Sequence, residues 1–222
     1  MSEPTTPAPP RRRWLTVALA CLAVAAVAFA IGRFTTFGSG EAAAVPNAAD
    51  AGFARDMQVH HAQAVEMAMI AYRATEDPDL RTLAYDIATG QAGQRGEMFD
   101  WLVQWGLPQA GAPLMSWMIG DDGHAGHGSS DAPATDAELH AAMGMATDAE
   151  LTTLKAATGA AGDCQFLTLM IRHHEGAIEM VDAVLELGSQ PRVLQVAASM
   201  KESQGAEIDA MRAMSERLGC TP

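Results

Sequence analysis

The chain has 222 residues, 49% of them hydrophobic and only 5% aromatic, with a formal net charge of −13. That length holds one sizeable folded domain plus an appendage, and apolar content carried by alanine and methionine favours an all-α protein over sheets. The acidic balance argues against nucleic acid as a partner; taken alone, it fits a solubilising surface as well as an attraction for cations.

Residues 1–13 read as a cytoplasmic tail ending in Arg11-Arg12-Arg13, and residues 14–32 as a transmembrane anchor. Trp14 to Ile31 carries no charged side chain and, at about 1.5 Å per helical residue, just spans a bilayer core. The arginines hold the tail inside, which predicts a single-pass protein of the cell membrane with its C-terminal domain extracytoplasmic. A cleaved signal peptide is the main rival reading, and a lipoprotein site at Cys21 the weaker one, because the apolar run continues past it. Residues 33–51, rich in Gly, Ala and Ser and containing Pro46, read as a linker.

The domain expected over 52–220 is dominated by an internal repeat. The segment from Phe53 through Met57, His60, His61, Ala64 and Glu66 to Met67 returns as Phe166, Met170, His173, His174, Ala177, Glu179 and Met180. The offset of 113 residues (173 − 60) continues without a gap through Pro78 and Pro191, Gln91 and Gln204, Met98 and Met211, Gly106 and Gly219. Each copy, 53–107 and 163–220, reads as a helix, a turn closed by proline and a second helix ending at glycine. One hairpin cannot bury its apolar stripe; two packed together can, so the duplication predicts a four-helix bundle with pseudo-twofold symmetry.

Between the copies, residues 108–162 are too many for a plain bundle loop. Thr135 with Glu138 and Thr147 with Glu150 form capping-box patterns that start short helices, while Gly120 to Ala134 reads as loop. Cys164 and Cys220 flank the second copy, where an antiparallel hairpin brings its ends together. A disulfide in an oxidising compartment, two separate small fillers, and metal thiolates all stay open at this stage.

At about 100° per residue, Phe53, Met57, His60, Ala64, Met67, Ala68 and Ala71 share one stripe with His61 at its edge, and Phe166, Met170, His173, Ala177 and Met180 repeat it with His174. A histidine on an apolar face is more often a hydrogen-bonded core residue than a ligand, and a methionine stripe more often core than metal site. Here, though, paired histidines recur beside thioethers at symmetry-related positions, and burying several imidazoles without a shared partner is expensive. A metal site built from His60, His61, His173 and His174 with Met57, Met67, Met170 and Met180 follows. Gln91, Gln94, Gln204 and Glu207 lie on the inward stripes of the second helices. They either orient the histidines, bind metal directly in the case of Glu207, or form an interhelical hydrogen-bond network. Glu66 and Glu179 turn away from the histidines; surface ion pairs are the bland reading, and a contact with the inter-repeat segment or with a second copy in a homo-oligomer the sharper one. Met115, Met118, His124, His127, His140, Met143 and Met145 stand between the copies. Thioethers select Cu(I) and imidazoles suit Cu(II), which ranks copper above iron.

The doubled His-His-x4-Glu-Met element, followed by Gln91 and Met98 and again by Gln204, Glu207 and Met211, resembles the family called domain of unknown function 305, over about Gly52 to Cys220. The resemblance implies a ferritin-like helical fold, frequent export or membrane anchoring and, for some members, copper binding and tolerance. The first copy departs from the pattern, with Gln94 and Arg95 where the second has Glu207 and Ile208; this speaks against two equivalent metal sites. The leading reading is therefore a membrane-anchored copper-binding protein without turnover. Its rivals are a metal-free structural module and a di-iron oxidase, the latter lacking the Glu-x-x-His elements such centres use.

Overall fold

The computed structural model describes Val24 and residues 45–118 and 135–220. The expected anchor falls outside the described residues except for Val24, as do His124 and His127. Among the described residues no helix is long and apolar enough to cross a membrane. All elements below belong to the unit Val45–Pro222, and the described residues are helical, with no strands: α1 (Ala48–Ala74), α2 (Pro78–Gln104), a 3₁₀ turn (Ser116–Met118), α3 (Asp136–Ala142), α4 (Asp148–Ala156), α5 (Gly159–Leu187) and α6 (Pro191–Leu218).

Helix α1 begins at Ala48, upstream of the Gly52 start that the apolar pattern implies. Asn47 accepts from the Asp50 backbone N–H while Asp50 accepts from that of Asn47, a reciprocal capping box. The Asp50 carboxylate also takes the backbone N–H groups of Ser189 and Gln190 and the Ser189 hydroxyl. A residue read as linker is thus a fully buried junction to the turn between α5 and α6. Pro78 and Pro191 open α2 and α6 at positions whose missing N–H costs nothing. Gly219 ends α6 in the left-handed region at φ 70°. The Thr135 and Thr147 capping boxes start α3 and α4.

Helices α1 and α2 form one hairpin, α5 and α6 the other, and the two meet through α1 and α5. The bundle interior divides into two apolar clusters. One holds Phe53, Met57, Met98, Met180 and Met200; the other holds Met67, Ile87, Phe166, Met170 and Met211. Because Met57 precedes the α1 histidines and Met170 the α5 histidines, yet they fall in different clusters, α1 and α5 run antiparallel. The histidines occupy the layer between.

The inter-repeat segment packs on the bundle at both of its described ends. Met115 N–H and the Trp117 indole N–H donate to Asp56 at 2.7 and 2.8 Å, and Trp117 meets the Phe53 ring edge-on at 6.0 Å. This fit needs glycine at 52, where a Cβ would stand 2.3 Å from the indole. Residues 143–146 form a strap across α1 and α5. The Gln63 amide grips Ala146 through both its N–H and its carbonyl. Arg172 reaches the carbonyls of Gly144 and Met145 and pairs with both oxygens of Glu150. Contact is so close that a Cβ at Gly176 would lie 2.1 Å from the Met143 carbonyl oxygen, and one at Gly144 2.3 Å from that of Arg172. Cys164 and Cys220 are joined by a disulfide, with their Cα atoms 5.3 Å apart.

Candidate metal centre

His60 and His61 on α1 and His173 and His174 on α5 are fully buried. Positions three or four apart on a helix share a face, so the spacing that aligns them with Met57, Ala64, Met170 and Ala177 carries each pair inward. At the centre the His60 and His173 rings lie nearly face to face, with centroids 3.6 Å apart and planes tilted by 32°. His61 and His174 flank them, 6.3 and 6.4 Å from the neighbouring ring of their own pair.

Three of the four rings make one polar contact each. His60 Nε2–H donates to the Met143 carbonyl at 2.9 Å, so the strap caps this ring. His61 Nε2 meets Gln94 Oε1 at 2.7 Å, and His174 Nε2 meets Glu207 Oε2 at the same distance. Neither nitrogen of His173 makes a hydrogen bond of acceptable geometry. Burial, and secondarily the His61 ring, hold the His60 pKa down to about 3. Burial likewise takes His61 to about 4 against the opposing help of Gln94, and His173 lies well below the ordinary histidine value through burial and the neighbouring His60. These three rings are therefore neutral at physiological pH, each with a nitrogen lone pair to offer.

The layer contains polar atoms that the protein does not satisfy. Nδ1 of His60, His61 and His174, both ring nitrogens of His173, and both amide atoms of Gln91 and of Gln204 are buried without a protein hydrogen-bond partner. Leaving one such group unpaired costs about 1–3 kcal/mol, so the five unpaired ring nitrogens of the layer call for a shared partner. Thioethers border the layer on both sides, with Met57 and Met180 in one apolar cluster and Met67 and Met170 in the other. Neutral imidazoles beside thioethers are a donor set that fits copper in either oxidation state. Carboxylates are scarce here. Among the described residues, Glu207 is the carboxylate hydrogen-bonded to one of these rings, and no group of three or more His, Cys, Asp or Glu side chains is placed to hold a metal ion.

Other candidate residues lie elsewhere. Glu66 pairs with Lys155 of α4 at 2.7 Å on the surface, and Glu179 is exposed. The sulfurs of Cys164 and Cys220 are bonded to each other rather than available as thiolates. Sequence reasoning misses the Met143 carbonyl and the grip of Gln63 and Arg172 on the strap. One signal exists: Gln63 and Gly176 occupy equivalent positions in the two copies, and so unlike a pair marks where the twofold pattern is broken.

The defining pattern of the family described as Domain of unknown function (DUF305) matches residues 50–215. The chain belongs to this family. No curated protein sequence matches it. Among solved structures, a DUF305 protein of Streptomyces coelicolor, inferred to be secreted, is 39% identical with a TM-score of 0.66, covering 78% of this chain and 94% of its own. A DUF305 fragment from Deinococcus radiodurans is 29% identical with a TM-score of 0.63, over 78% of this chain and 98% of the fragment. CopM in its Cu(II)-bound form is 27% identical with a TM-score of 0.56, over 76% of this chain and 96% of that one.

Proposed function

We propose that this DUF305 protein is an extracytoplasmic, membrane-anchored copper-binding protein that serves copper tolerance, built on a ferritin-like four-helix bundle of two repeated hairpins. The observation that carries the reading is the histidine layer, in which five buried ring nitrogens lack a protein partner. Copper is favoured over iron by the donors. His60, His61, His173 and His174 supply neutral nitrogens, Met57, Met67, Met170 and Met180 lie to either side, and Gln91 and Gln204 complete the polar lining. The similarity to a protein crystallised with Cu(II) and to one inferred to be secreted supports the same reading. When bound, copper would supply the positive centre that these lone pairs lack.

The test is metal analysis of the full-length protein after exposure to copper and to iron, with His60→Ala and His173→Ala variants whose helicity is checked by circular dichroism. Copper retained by the wild type and lost from folded variants is expected. Copper retained equally by all three overturns the assignment to this layer. A metal-free structural module is favoured by one observation, that among the described residues no three charged or imidazole donors are grouped as a cage. That reading predicts no metal in the wild type and a purely destabilising effect of His173→Ala.

A further inference from the structure

Positions 94 and 207 are equivalent in the repeat (207 − 94 = 113), and their side chains make the same contact with different chemistry. Glu207 Oε2 lies 2.7 Å from His174 Nε2, and Gln94 Oε1 2.7 Å from His61 Nε2. Both partners are partly open to solvent while the rings are buried: the Glu207 side chain is 25% exposed and that of His174 0%.

A carboxylate oxygen accepts hydrogen bonds, so the contact with Glu207 selects the His174 tautomer with its proton on Nε2 and the lone pair on Nδ1. That Nδ1 is buried and has no protein partner. An amide serves a ring nitrogen with either end, and with its NH₂ group turned inward His61 would carry its proton on Nδ1 and lose its donor. The carboxylate also stands beside a layer in which burial holds His60, His61 and His173 neutral. Beside His61 the first copy carries a cation instead. Arg95 disfavours added positive charge there, whereas its counterpart Ile208 is buried and apolar.

We propose that Glu207 makes the two halves of the centre unequal: as a positioning residue it fixes His174 as the anchoring copper ligand through Nδ1, leaving His61 as the weaker, exchangeable one. This inference rests on the copper reading above. Carboxylates behind metal-bound histidines raise ligand basicity and hold ring orientation, and removing one typically costs about 10–100-fold in metal affinity.

The test uses the full-length protein, Cu(I) and Cu(II) ions alone as probes, and competition titration against a chromophoric chelator. Glu207→Gln is expected to weaken copper binding by about 10–100-fold, Gln94→Glu to tighten it, and the double exchange to restore most of the affinity. Both substitutions are near-isosteric at partly exposed positions, and unchanged circular dichroism and thermal midpoint establish that each variant folds. Nitrogen-15 NMR of the metal-free wild type should show the His174 proton on Nε2 and should show that signature weakened in Glu207→Gln, a change that a merely structural role would not produce. Unaltered affinity in folded Glu207→Gln and Gln94→Glu, or an apo His174 protonated on Nδ1, overturns the inference while leaving copper binding intact. A wild type that takes up no copper overturns both.

Discussion

Single residues in the histidine layer act through what they leave unpaired as much as through what they touch. His60, His61 and His173 are harder to protonate folded than unfolded, so the unfolded chain takes up protons first as the pH falls. Stability of the metal-free protein is therefore expected to be flat above the ordinary histidine value of 6.5 and to drop as the pH descends towards about 4 and about 3, the folded values of His61 and His60. Asp77 and Glu150, both held down to about 2 chiefly by hydrogen bonds from arginine, lose their contributions only at lower pH, as it falls through the carboxylate range. Urea midpoints measured from pH 7.5 to 4 test this; a flat profile to pH 4.5 would show that the rings are not held neutral. Asp56 makes a second prediction at this scale. Burial raises its pKa, yet its carboxylate receives the Met115 and Trp117 N–H groups. Asp56→Ala leaves two donors unserved and should cost about 1–3 kcal/mol for each that stays buried, read by denaturation and by a shift in tryptophan fluorescence.

Helices and their crossings show where the sequence is informative and where it falls silent. The gapless offset and the proline and glycine punctuation make both hairpins legible, and the 3.6-residue period is enough to turn all four histidines inward. The position of the strap is not legible, because it depends on a backbone carbonyl meeting a ring 83 residues away and on close approach at two glycines. Neither leaves a side-chain pattern. The start of α1 is hidden for a related reason: Asp50 belongs to the domain through polar contacts with Ser189 and Gln190, not through apolar periodicity. Glycine substitutions separate these cases. Gly176→Ala drives a methyl group into the Met143 carbonyl and should destabilise the protein by about 1–3 kcal/mol, with faster proteolysis at the strap. Gly93→Ala has nothing within 4 Å of the added carbon and should stabilise α2 by about 0.5–1 kcal/mol. Equal effects from the two would show that the strap does not press on α5.

For the molecule as a whole, the two hairpins are held together by unlike means. Buried polar contacts join α1 to the turn between α5 and α6, and exposed ion pairs of Arg192 with Glu97 and Arg217 with Asp77 link α2 to α6, each contributing little alone. The disulfide closes only the second hairpin, between residues 56 apart in sequence. Reduction should therefore lower stability by about 2–4 kcal/mol, visible as an earlier denaturation midpoint with helicity retained under native conditions. The strap also imposes an order on assembly. Each hairpin is stitched by contacts close in sequence, which form quickly, whereas Gln63 and His60 find Ala146 and Met143 only across 83 residues. A refolding chain thus gains its hairpins before the strap closes over the histidine layer and before Asp50 meets Ser189 and Gln190, 139 and 140 residues away.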